Sequence, residues 1–173
     1  MSASASGITL IGMPGAGKST IGVLLSKRLG LDFVDTDLLI QVREQRTLQQ
    51  ILDSEGFLGL RAIEESVLLA LDPHRRVIAT GGSVVYSERA MRRLAGASRI
   101  VFLDVALTEL RGRIRDYDTR GIARRPDQEF SELFDERTAL YLRHADLRVD
   151  CERLGMEDVL ERILVELAAQ PRK

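Results

Sequence analysis

Gly12-Met13-Pro14-Gly15-Ala16-Gly17-Lys18-Ser19 is the stretch on which the fold turns. It reads Gly-x-x-x-x-Gly-Lys-Ser, a pattern that is specific when a strand precedes it and a helix follows. Ile8 to Ile11 is a short β-rich apolar run that ends in glycine, as a buried strand does. From Ser19 onward the apolar residues fall at Ile21, Leu24, Leu25 and Leu29, a helical spacing closed by Gly30. Glycines at 12, 15 and 17 let the backbone curl until its N–H groups converge on anionic oxygens. A helix starting near Lys18 points the positive end of its dipole at the same place. Lys18 is placed to reach the β- and γ-phosphates of ATP, Ser19 to offer its hydroxyl to Mg²⁺, and Thr20 to help orient the phosphates.

Outward from the loop, strands and helices alternate. A second short strand at Phe33–Val34 ends at Asp35, and helical segments follow near 37–46, 48–54 and 57–71, the last closed by Pro73. Arg76 to Thr80 reads as a third strand running into Gly81-Gly82. A helix near 87–95, a strand from Arg99 to Asp104 and a helix from Leu107 to Ile114 come next. Residues 115–128 hold four arginines and three aspartates and read as a mobile loop. A helix over 129–144, a strand at 147–149 and an amphipathic helix over 155–168 complete the pattern. Such alternation implies a parallel α/β sheet covered on both faces, with ligands at the carboxyl ends of the strands.

The 173 residues suffice for one domain with a proper core, so a single domain over 1–173 is expected, with 1–6 as a disordered tail. Hydrophobic residues make up 45% and the net charge is −1, which favours neither nucleic acid nor an acidic membrane surface as partner. No signal peptide or membrane span is visible. The single cysteine, Cys151, allows no intrachain disulfide, and a cytoplasmic setting and a monomer are expected. His74 and His144 have no metal-ligand spacing and read as surface or packing residues. Tyr141 reads as a packing residue.

Asp35-Thr36-Asp37 follows the second strand. In an extended stretch residues i and i+2 point the same way, so both carboxylates are expected to face the site. One would hold Mg²⁺ through water and the other accept a hydrogen bond from an acceptor hydroxyl. Capping of the next helix is the competing use of the pair, and Asp37 could be both cap and ligand.

The phosphate loop, Phe33-Val34-Asp35-Thr36-Asp37, Glu55-Gly56 with Arg61 and Glu64, Ala79-Thr80-Gly81-Gly82, Arg125-Pro126, Arg137 with Tyr141, and Ala145-Asp146 occur in an order that resembles the shikimate kinase family, from about residue 8 to 168. The resemblance implies a three-layer α/β/α sandwich with a five-stranded parallel sheet in the order 2-3-1-4-5. It implies ATP-dependent phosphorylation of the shikimate 3-hydroxyl, within chorismate and aromatic amino-acid biosynthesis. On it, Asp37 positions the acceptor hydroxyl and Asp35 holds the Mg²⁺ shell. Arg61 and Arg137 grip the acceptor's carboxylate, for which a planar guanidinium is suited. Gly81 and Gly82 let backbone approach the acceptor. Arg125 closes over the γ-phosphate from the lid, and Arg115, Arg120 and Arg124 are further lid arginines, one of which could stack on adenine.

The chain departs from the family pattern in two places. Ser83 stands where a third glycine is usual, and Asp127-Gln128-Glu129-Phe130 makes the lid short and acidic. These departures keep two rivals open: a kinase of the same fold for another small carboxylated alcohol, and a nucleotide-binding module without catalysis. A GTPase switch is disfavoured because no guanine-reading Asn-Lys-x-Asp segment is present.

Overall fold

The computed structural model of the chain describes residues 7–114 and 121–170. The expected tail at 1–6, and Arg115 and Arg120 of the expected lid, lie outside the described residues.

The strands are β1 (Gly7–Ile11), β2 (Asp32–Asp35), β3 (Arg76–Ala79), β4 (Ser98–Asp104) and β5 (Leu147–Asp150). All pairings are parallel and the order is β2-β3-β1-β4-β5, as the resemblance implies. β1 is buried at all five positions. Successive side chains of a strand point to opposite faces, so burial at every position means both faces are covered. The cover comes from α1 (Lys18–Leu29), α2 (Thr36–Glu44), α3 (Leu48–Ala70), α4 (Glu88–Ala97), α5 (Leu107–Arg113), α6 (Phe130–His144) and α7 (Met156–Ala169). α1 packs with α7, and α3 with α4 and α2. The apolar stripe of α7 buries Val159, Leu160 and Ile163.

Two details position the site. α3 is two helical segments joined at Gly56, whose φ of 71° and ψ of 178° break the helix where Gly56-Phe57 predicts a break. The second segment thereby carries Arg61 and Glu64 toward the carboxyl end of β3. After β3 and its Gly81-Gly82 turn comes a single 3-10 turn, Val84–Tyr86, which the apolar spacing did not predict. The chain there is too short for a helical period to show.

Of the expected lid, residues 121–123 and Gln128 are packed, while Arg125, Pro126 and Asp127 are exposed. Gly121 N–H donates to Gln49 Oε1 at 2.9 Å, and Ile122, Ala123 and Gln128 are buried.

Candidate active site

A cavity of about 390 Å³ opens at the carboxyl ends of β1 and β3. Its walls carry Gly15, Gly17, Lys18, Ser19 and Thr20 from the loop and the start of α1, and Gly82, Ser83, Ala123 and Arg137, with Asp37, Glu64 and Gly81 also lining it.

At the loop end, Gly15 and Gly17 have φ of 81° and 92°, a region closed to most side chains, and Gly17 is the residue that starts α1. Gly12 lies deeper, where an added Cβ would come within 2.8 Å of the Leu103 carbonyl oxygen. Ala16 is buried beneath the loop and its N–H donates to Met13 O at 3.1 Å, so of the expected phosphate-binding residues Gly12 and Ala16 shape the loop rather than line the cavity. Lys18 Nζ donates to the carbonyls of Gly12 and Met13, both at 2.8 Å. Burial pulls the Lys18 ammonium down to about 8, with Asp37 acting to raise it and Arg137 to lower it.

The two aspartates differ from the expectation. α2 begins at Thr36, so the strand's alternation stops before Asp37 and the two side chains belong to different elements. Asp35, not Asp37, is the cap: its Oδ1 accepts from the N–H groups of Asp37 and Leu38 at 3.0 and 3.2 Å. Its other oxygen accepts from Ser19 Oγ at 2.5 Å. The cap fixes the carboxylate so that one oxygen stays beside the Ser19 hydroxyl. Two hard oxygen donors at the mouth of a phosphate site suit Mg²⁺, which takes one or two protein oxygens and otherwise keeps waters and substrate phosphates. Among the described residues no cluster of three or more His, Cys, Asp or Glu could hold a metal unaided. Asp37 instead turns into the cavity, where its Oδ1 would lie 2.7 Å from a Cβ on Gly81. Gly81 is required bare for that approach.

Beside the Gly81-Gly82 turn, Arg137 is 1% exposed, not the solvated partner of Glu136 that its helix would also allow. Its guanidinium donates to Ala123 O at 2.6 Å and would lie 2.7 Å from a Cβ on Gly82, which explains the second glycine. Arg61 is brought to the same carbonyl at 3.5 Å, with its guanidinium 3.5 Å above the Tyr86 ring. Two cationic forks thus meet at one carbonyl oxygen, and Nε of each is buried without a partner. Arg125 is not part of this group. It pairs with Glu136 at 3.2 Å, is half exposed and does not line the cavity. Arg124 donates to the carbonyls of Pro126 and Gln128, and Arg120 lies outside the described residues.

Several further residues join the site without an expected part in its chemistry. Glu64 is buried in the cavity wall, and burial together with Asp37 pushes its carboxyl up to about 7. It accepts a hydrogen bond from the Ser83 hydroxyl. Its position one turn after Arg61 on one helix face was the available signal. Tyr141 packs, as expected, stacked on Phe102 with ring centroids 5.1 Å apart, and its hydroxyl also donates to Gly82 O at 2.6 Å. Arg113 and Met156 line the cavity beside Gly15 and Gly17: Arg113 reaches Gly15 O at 3.4 Å, and Met156 Cε would lie 3.0 Å from a Cβ on Gly17.

A phosphate loop opening a five-stranded parallel sheet, with a carboxylate and one buried arginine, Arg137, on the wall of the same cavity, defines a P-loop phosphotransferase; Arg61 is half-buried behind that wall. The family model for shikimate kinase matches residues 14–168. A shikimate kinase from Mycobacterium avium is 39% identical over 163 residues, covering 92% of each chain. A shikimate kinase from Acinetobacter baumannii, solved in complex with shikimate, superposes with a TM-score of 0.88 at 27% identity, over 97% of this chain and 96% of that one. The Aquifex aeolicus shikimate kinase gives 0.80 at 34% identity, over 94% and 96%. The chain belongs to the shikimate kinase family, and it is an ATP-using phosphotransferase.

Proposed function

We propose that this chain transfers the γ-phosphoryl group of ATP to the 3-hydroxyl of shikimate, yielding 3-phosphoshikimate and ADP for aromatic amino-acid biosynthesis, as a monomer in the cytoplasm. The observation that carries the reading is one cavity whose wall holds the phosphate loop, Asp37 and the buried Arg137 together. A kinase must hold two substrates in line and neutralise the charge that develops, and little else. Arg137 and Arg61 orient the acceptor through its carboxylate, in place of the Ala123 carbonyl. Asp37 accepts the proton of the attacking hydroxyl. Lys18 and the loop N–H groups hold the phosphates, and Ser19 and Asp35 would hold Mg²⁺, which would supply neutralisation of phosphate charge. Arg113 and Met156 flank the nucleotide end. Arg125 joins the γ-phosphate on release from Glu136, and its ion pair, being half exposed, is worth little.

Ser83 and the short, acidic lid are the two departures that keep another acceptor open. The Ser83 hydroxyl is directed at Glu64, which supports the shikimate reading on the first of these departures. An ADP-release assay over shikimate, quinate, gluconate and homoserine tests this: shikimate is expected to have the highest kcat/KM, and no turnover with shikimate refutes the assignment.

Arg61→Ala is expected to raise the acceptor KM ten- to a hundredfold with little change in kcat, from loss of a charge-assisted pair of about 1.5–3 kcal/mol. Steady-state kinetics at saturating ATP read it, and an unchanged KM removes Arg61 from the carboxylate site.

A further inference from the structure

Arg61 meets the Ala123 carbonyl from behind the cavity wall, through a hydrogen bond of 3.5 Å, which is longer than the usual range. Its Nε is buried without a partner. Aromatic rings stand beside the guanidinium. Its Cζ lies 3.5 Å from the ring centroid of Tyr86 and 5.2 Å from that of Phe57. A ring attracts a cation out to about 6 Å from its centroid, so the Tyr86 contact is close, face against face. Phe57 sits one turn before Arg61 on the same helical segment, where the helix period makes the two neighbours. Tyr86 comes from elsewhere in the chain, on the 3-10 turn that follows Gly81-Gly82.

The Tyr86 ring is itself held at both ends. Its backbone N–H donates to Ser83 O at 3.1 Å, and Val84 and Val85 before it are buried. Its hydroxyl donates to a carboxylate oxygen of Glu136 on α6. The turn and the helix thus fix the plane on which Arg61 rests. How a guanidinium is held decides what it can still bind. A hydrogen bond holds it by an in-plane N–H group and uses that group. A ring holds it by its face and uses none, so the in-plane fork stays free for a carboxylate.

We propose that Tyr86 is a positioning residue for the acceptor: its ring, stacked on the face of Arg61, keeps the N–H edge of that guanidinium toward the place of the Ala123 carbonyl, where the carboxylate of the acceptor binds. The proposal rests on the acceptor reading above. It assigns Tyr86 an effect on acceptor binding and little on the transfer step, because its side-chain contacts are with Arg61, Arg137 and Glu136. Of the two arginines Arg61 carries the effect, since the Cζ of Arg137 lies 5.6 Å from the ring centroid, near the limit of the attraction.

The test is a double-mutant cycle on the full chain with shikimate and ATP. Tyr86→Leu is expected to raise the shikimate KM about tenfold, with kcat within about threefold of wild type. Tyr86→Phe keeps the ring face and loses only the hydroxyl, so its KM returns to within about threefold of wild type. In an Arg61→Ala background Tyr86→Leu adds less than about threefold. An unchanged KM in Tyr86→Leu, an equal rise in Tyr86→Phe, or the full rise beside Arg61→Ala overturns the proposal. If Tyr86→Leu does not fold, mono-, di- and trifluorinated phenylalanine at position 86 replace it. They keep the ring's shape while fluorine drains the negative charge of its face, so KM is expected to climb with each fluorine. A KM indifferent to fluorine overturns the proposal. If the wild type does not turn over shikimate, the acceptor reading has failed, and the stacking is read separately. Rotation about the Nε–Cζ bond of Arg61, followed by nuclear magnetic resonance and assigned by the signal's absence in Arg61→Ala, is then expected to be faster in Tyr86→Leu, or with trifluorinated phenylalanine, than in wild type. The same rate overturns it.

Discussion

Lys18→Ala lowers kcat by about a thousandfold or more with every acceptor, the loss of roughly 4 kcal/mol of transition-state stabilisation. Lys18 is the basic side chain of the phosphate loop itself. It is held over that loop by the Gly12 and Met13 carbonyls, at 2.8 Å each. Such an ammonium is preorganised: it does not have to be drawn out of bulk water when charge builds on the transferring phosphoryl group. Burial brings it down to about 8, so at neutral pH it is still protonated in most molecules, and its hydration is already stripped. The substitution leaves two loop carbonyls without that donor, so a modest drop in Tm accompanies the loss. Single-turnover rates with saturating ATP separate the two effects. A variant within tenfold of wild type would show that Lys18 does not carry the transfer.

The second large effect belongs to Arg137. Arg137→Ala is expected to raise the shikimate KM at least a hundredfold and to leave the affinity for ATP within a few-fold of wild type. The guanidinium is fully buried, flanked by Gly82 and the Tyr86 ring, and supplies the 2.6 Å hydrogen bond to Ala123 O. Removing it deletes the fork, leaves a buried carbonyl short of its donor at a cost of about 1–3 kcal/mol, and opens a cavity. It also removes positive charge from beside Glu64 and Lys18. Arg137→Lys is the discriminating control. It keeps the charge but not the planar pair of N–H groups, so its KM is expected to remain well above wild type. Isothermal titration with ATP and steady-state kinetics with shikimate read the two limbs. Equal losses for both ligands would mean a folding defect, and an unchanged KM would move the carboxylate site elsewhere.

What was legible in the sequence follows physical range. The phosphate loop is a contiguous run whose conformation is set by its own glycines, and it lies where the run predicts. The sheet order followed from the resemblance, and Gly56 announced the break in α3. Asp35 and Asp37 were legible as a pair but not in their division of labour, because that depends on α2 starting at Thr36 rather than after it. Arg137 and Glu136 are neighbours on one helix, and only the packing of α6 against the sheet decides which of them is buried. Arg125 reads as a free lid cation until Glu136 is seen to hold it. Glu64, Ser83 and Tyr141 form contacts between segments far apart in the chain, which no local period encodes. Arg113 and Met156 reach the cavity from the ends of two helices whose sequences report only their own amphipathicity.

The central claim is a reaction, and its product is the most direct test. Wild-type protein mixed with ATP, Mg²⁺ and shikimate, followed by phosphorus and proton nuclear magnetic resonance, is predicted to show ADP and one phosphate ester in equal amounts, with the ester's coupling to the proton on carbon 3. Release of inorganic phosphate without an ester, an ester on another carbon, or no consumption of ATP would contradict it.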